Sequence, residues 1–141
     1  MTTVAVSGGF DPVHIGHIKL FEEARRLGDR LVVILNNDNW LLEKKGFIFM
    51  TGNERAAILK ALRHVDEVVL TKHLRHTGDM SVVEELKQLK PDIFANGGDR
   101  KAENIPEYEF CQKSGIKMIF NVGGEKTQSS SELVRKVKTL K

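Results

Sequence analysis

One cysteine, Cys111, stands in 141 residues, so no intramolecular disulfide can form and no cysteine cluster offers a structural zinc site. A reducing, cytoplasmic setting is expected. No apolar run approaches the roughly 18 residues needed to cross a bilayer. No basic-then-apolar segment opens the chain, so neither a membrane span nor classical secretion is expected. A strong charge of one sign is missing too. Lys and Arg number 22 and Asp and Glu 19, a net of +3, too small and too evenly spread to mark a nucleic-acid surface. A sequence pI of about 9.0 suits an anionic small ligand. Prolines number only three, and neither a repeat nor a low-complexity tract interrupts the chain. With 40% hydrophobic and 29% charged residues, the composition is that of a globular chain. The length predicts a single domain over residues 1–141.

What is present is alternation. Thr3-Val4-Ala5-Val6 reads as a buried strand, and Arg30–Leu35 as a second. Between them Ile18, Phe21, Ala24 and Leu27 mark one face of a helix, with Gly28 placed for a left-handed cap. Residues 54–63 carry helical spacing, and 65–70 read as a third strand. Ser81-Val82-Val83-Glu84 is a capping-box pattern opening a helix that stops before Pro91. Residues 92–95 form a fourth strand, a helix runs from Pro106 to Gly115, and 117–120 form a fifth strand. Ser129-Ser130-Ser131-Glu132 caps a last helix. Five strands alternating with helices predict an α/β fold. It would be a doubly wound, Rossmann-like parallel sheet in the order 3-2-1-4-5 with helices on both faces. Residues 36–53 and 72–80 lack a clear period and read as binding loops. Ligands of such sheets sit at the carboxyl ends of the strands.

At the first of these ends stands Ser7-Gly8-Gly9-Phe10-Asp11-Pro12-Val13-His14-Ile15-Gly16-His17. Gly8 and Gly9 let backbone approach a phosphate closely. A helix N-terminus supplies N–H donors and about half a positive charge. His14 and His17, three apart at a helix start, can face one point, and Gly16 leaves room for a ligand. Donors converging there suit a phosphate gaining charge in a transition state. A metal half-site or a surface pair would use the same spacing.

Gly9-Phe10-Asp11-Pro12 followed by His14-Ile15-Gly16-His17 resembles the signature of the cytidylyltransferase-like nucleotidyltransferases. Glu54-Arg55, Val65-Asp66-Glu67-Val68, Gly97-Gly98-Asp99 and Ser129-Ser130-Ser131 follow in the family's order, so the resemblance spans nearly the whole chain. It is greatest toward small enzymes acting on glycerol 3-phosphate, heptose 1-phosphate or hydroxyalkyl phosphonates. The implied reaction joins a nucleoside triphosphate to a phosphate or phosphonate monoester and releases pyrophosphate. The resemblance implies CTP in preference to ATP, a divalent cation such as Mg²⁺, and a homodimer pairing near strand three. A heptose-phosphate adenylyltransferase and a non-catalytic nucleotide-binding module are the alternatives.

His14 and His17 are expected to stabilise transferring charge, joined by Lys45 of the Lys44-Lys45-Gly46 stretch, where a loop lysine would close over the triphosphate. Ser7, Gly8, Gly9, Phe10, Gly16, Gly97, Asp99, Ser129, Ser130 and Ser131 are expected around the nucleotide. Arg55 is assigned to phosphates. The arginine that family members commonly carry upstream of the last helix is absent, and Lys126 stands in its neighbourhood as a point cation. Asp11, Asp38 and Trp40 are expected at the acceptor, although Asn36 to Trp40 also fits an Asx-rich turn. Asp11 is the one candidate metal ligand. Cys111 reads as a small core hydrophobe.

Overall fold

A computed structural model describes residues 1–98, 105–124 and 129–139. Its elements are β1 (Thr3–Gly8), α1 (Ile15–Arg26), β2 (Arg30–Leu35), α2 (Asp38–Lys45), α3 (Gly52–Lys60) and β3 (Glu67–Leu70). They continue as α4 (Val83–Leu89), β4 (Ile93–Ala95), α5 (Glu107–Ser114), β5 (Lys117–Ile119) and α6 (Ser130–Lys138). All pairings are parallel and the order is β3-β2-β1-β4-β5, as the alternation predicts.

The period of two sorts the strand residues onto two faces. Val4, Val6, Leu31, Val33 and Leu35 pack with Phe21 and Ala24 of α1 and Leu59 of α3. Ala5, Ile34 and Phe94 point the other way, onto Leu86 of α4 and Cys111 of α5. Each fully buried large side chain is worth about 1.5–3 kcal/mol relative to exposure, so the two cores fix which helices cover which face. No helix among the described residues is long and apolar enough to cross a membrane.

Three local expectations change. Gly28 is not a left-handed cap. The helix ends on Leu27 in right-handed geometry, and Gly28 is needed because a Cβ there would lie 2.7 Å from the Thr2 carbonyl oxygen. Ser81 is not the cap of α4. Its hydroxyl donates to Asp79 Oδ1 at 2.8 Å, while the N–H of Val82, the cap residue, donates to buried Glu107 Oε2 at 2.9 Å. Residues 36–53 are not one loop, because Asn37 caps a helix there by accepting from Trp40 N–H at 3.0 Å.

Cys111 packs as expected, fully buried. Burial, and secondarily the Glu107 carboxylate, push its thiol up to about 11. Thiol reagents at pH 8 are therefore expected to label native protein far more slowly than urea-unfolded protein, and equal rates would contradict the burial. Between pH 9.0 and about 11 only the unfolded chain releases this proton, so stability falls as pH rises through that window.

Candidate active site

The strand order reverses beside β1, and a cleft of about 260 Å³ opens at the carboxyl ends there. Ser7, Gly8, Gly9 and Phe10 form its floor, and His14, Gly16 and His17 enter from the start of α1. Gly97 follows β4, and Ser129, Ser130 and Ser131 bring in the start of α6. Trp40 and Lys45 of α2 form a further wall. Residues from both ends of the sequence thus meet in one place.

The two histidines build the helix start themselves. His14 is the N-cap, and its Nδ1 accepts from Gly16 N–H at 3.1 Å. His17 reaches back, its Nδ1 accepting from His14 N–H at 3.2 Å. This is a capping box made of imidazoles, with the rings stacked 3.8 Å apart. An imidazole that accepts at Nδ1 carries its proton at Nε2. Each ring thereby becomes a donor at Nε2 with its plane fixed. The expectation that backbone N–H groups of α1 hold the phosphate changes accordingly. Gly16 N–H is engaged by His14 Nδ1 and His17 N–H by the His14 carbonyl, so neither is open to a phosphate.

Phe10 supports His17. Its ring meets the imidazole edge-on at 4.8 Å and Phe21 at 5.3 Å. Phe10 adopts φ 49, a left-handed conformation that a bulky residue holds only where its surroundings enforce it. Gly8 provides the space, since a Cβ there would lie 2.8 Å from Phe10 Cζ.

The start of α6 is the second donor cluster. Ser129 Oγ accepts from Glu132 N–H at 3.3 Å, while the N–H groups of Ser130 and Ser131, residues that line the cleft, have no carbonyl one turn back to bond. Ser130 is more an anchor than a hydroxyl donor to ligand, because its Oγ donates to the Pro12 carbonyl at 2.7 Å. Lys45 is not on a flexible loop but is the last residue of α2, where the helix dipole favours a cation. Gly46 follows in left-handed geometry at φ 81 and ends the helix.

Three candidates lie elsewhere. Arg55 does not face the cleft. It is completely buried, with Nη1 donating to the Gly9 and Asn36 carbonyls at 2.8 and 2.6 Å, Nε to Met50 O at 3.0 Å and Nη2 to Asp38 Oδ1 at 2.7 Å. It therefore joins the motif loop to the chain on both sides of α2 instead of holding phosphate. Asp38 is drawn into that network. Asp11 is 3% exposed, its two oxygens accept the N–H groups of Phe49 and Met50 at 2.7 and 2.6 Å, and it does not line the cleft, which removes it from the acceptor. Among the described residues no cluster of three or more His, Cys, Asp or Glu could hold a metal ion. Asp99 and Lys126 fall outside the described residues.

Gly98 of the Gly97-Gly98-Asp99 motif lines the cleft, and Leu20, Val122, Gly123 and Gly124 do so without having been expected there. A Cβ on Gly98 would lie 2.5 Å from the Gly124 carbonyl oxygen, so the loops after β4 and β5 touch backbone to backbone. The Gly123-Gly124 pair was the available signal.

A parallel sheet of this order, with a lined cleft beyond its strand ends, places the protein in the class of doubly wound, Rossmann-like folds that bind a ligand at the switch point. The cytidylyltransferase-like family model matches residues 5–136. The FAD synthase of Thermococcus sibiricus is 43% identical over 116 residues, covering 80% of this chain and 74% of that one. The bifunctional protein HldE of Syntrophotalea carbinolica is 34% identical over 137 residues, 94% of this chain but only 27% of the longer protein. Among solved structures, the lipopolysaccharide core biosynthesis protein of Thermoplasma volcanium superposes with a TM-score of 0.68 at 32% identity, over 85% of this chain and 95% of that one. The chain belongs to the cytidylyltransferase-like family, and it is a nucleotidyltransferase.

Proposed function

We propose that this protein is an adenylyltransferase. It moves AMP from ATP to the phosphate of a small acceptor and releases pyrophosphate. The observation that carries the transfer chemistry is the convergence of His14, His17 and the start of α6 on one cleft. An oxygen of the acceptor phosphate attacks the α-phosphorus, the bond to the bridging β-phosphate oxygen breaks, and pyrophosphate departs with that electron pair. A phosphate oxyanion is already nucleophilic, so no activated serine or cysteine is needed. Positioning and charge stabilisation do the rest. The Nε2–H groups of His14 and His17 donate to charge developing on the transferring phosphoryl group, while Lys45 and α6 hold the β- and γ-phosphates.

The choice of ATP departs from the CTP that the sequence resemblance implied. FAD contains an adenylyl group, and proteins named FAD synthase match at 36% and 43% identity over about three quarters of their length. The glycine-walled side of the cleft fits a base read by backbone groups, so no side chain need mark the nucleobase. Mg²⁺ belongs to the proposal as a companion of the triphosphate, since Asp11 is buried away from the cleft and this cation takes few protein ligands. A cytoplasmic location and pairing through β3, an edge of the sheet, complete the reading. Calorimetry with Mg²⁺ and either triphosphate is expected to show ATP at least tenfold tighter than CTP, about 1.4 kcal/mol. Equal affinity would remove the preference, and tighter CTP would restore a cytidylyltransferase.

A further inference from the structure

Residues 71–81, most of which read from the sequence as a binding loop, hang on the start of α2. The N–H of Asn37 donates to Thr71 Oγ1 at 3.0 Å, and the side-chain amides of Asn37 and Asn39 both donate to the His73 carbonyl at 2.9 Å. The His73 ring spans the segment. Its Nε2 lies 2.8 Å from the Ser81 carbonyl, which can only accept, so that nitrogen donates, while Nδ1 lies 2.8 Å from Thr71 Oγ1. Further along α2, Glu43 Oε1 accepts from Arg75 Nε at 2.8 Å and from His76 N–H at 2.9 Å.

The residue this strap secures on the cleft side is Trp40. Its Nε1–H donates to the Met80 carbonyl at 3.0 Å. Cζ3, across the ring, lies 3.2 Å from where a Cβ on Gly9 would stand. An indole gripped on both sides loses little further freedom when a ligand arrives, which makes it a preorganised platform. The wall formed by Gly97, Gly98, Gly123 and Gly124 offers backbone and space, whereas the Trp40 wall offers a rigid apolar plane.

Resting on the adenylyl-transfer reading, we infer that Trp40 is the specificity-determining wall for the acceptor and that His73 is its positioning residue. A plane of this kind rewards an acceptor phosphate whose carbon skeleton contains a ring, either a sugar ring with its C–H face or a flat heterocycle. An open-chain polyol phosphate gains little from it.

Trp40 is the chain's one tryptophan, so its fluorescence reports occupancy of this wall directly. A pyranose 1-phosphate is titrated against that emission, FMN is titrated by calorimetry, and glycerol 3-phosphate is run by both methods. ATP turnover is measured with each of the three. At least one ring phosphate is expected to bind about tenfold tighter than glycerol 3-phosphate, and which of the two does so tells sugar from heterocycle. Trp40→Ala is expected to raise the KM for that ring acceptor about tenfold, with kcat and ATP affinity changed less than threefold and Trp40→Phe largely restored. His73→Ala is expected to shift Trp40 emission and raise the same KM, with His73→Gln, which keeps a donor for Ser81, partly restored. Ring-selective binding that survives without any adenylyl transfer would uphold the wall and sink the transferase reading. Adenylyl transfer in which Trp40→Ala alters ring and open-chain acceptors equally, or neither, would overturn the wall alone.

Discussion

His17→Ala is expected to lower turnover about 10²-fold or more while ATP affinity changes little, the usual effect of removing one preorganised donor to a developing charge. The imidazole is fixed by His14 N–H at Nδ1, by the stacked His14 ring and by the edge of Phe10, so its Nε2–H needs no reorganisation during the reaction. The same substitution removes half of the capping box, which costs about 1 kcal/mol of stability. A melting curve recorded beside the pyrophosphate-release assay separates the two effects. Turnover near wild type in a folded variant would take His17 out of the chemistry.

Arg55→Ala is expected to cost about 3–5 kcal/mol of stability, a large share of the 5–15 kcal/mol that holds a typical domain folded. The side chain serves the carbonyls of Gly9, Asn36 and Met50 together with Asp38. The Asp38 side chain is 40% exposed and can rehydrate, so most of the cost falls on the carbonyls and on the cavity left behind. Arg55→Lys is expected to rescue little, because a single ammonium cannot reproduce a planar fork. Urea midpoints check both variants. A loss below 1 kcal/mol, accompanied by a raised KM for nucleotide, would return Arg55 to the phosphates.

The contrast between these residues shows what the amino-acid sequence discloses. His14 and His17 were legible because their contact is local, three positions apart on a first turn, and the strands were legible because burial on both faces leaves short continuous apolar runs such as Leu31 to Leu35. The Gly8-Gly9 pair, Gly97 and the three serines could be read for the same reason, each sitting where a strand ends or a helix begins. Arg55 was not legible. A charged residue on the first turn of a helix looks solvated until four partners from three other segments close around it. Asp11 looked like a ligand for the same reason, and its partners, Phe49 and Met50, stand nearly forty positions away. The helix α2 escaped notice because Asn36 to Asn39 resemble a turn and its apolar residues are few, with Leu41 alone fully buried. Its placement depends on the 71–81 strap, which no local pattern announces.

The bond from Ser130 Oγ to the Pro12 carbonyl joins positions 118 apart. A growing chain that has completed β1 and α1 already owns both histidines, yet the helix that completes the anion site is still to be made. The donors are therefore installed first and given their counterpart last, and closing so long a loop is entropically slow to be repaid. Assembly of the cleft therefore waits for α6, and the fastening of that helix to the loop before α1 brings its two halves together.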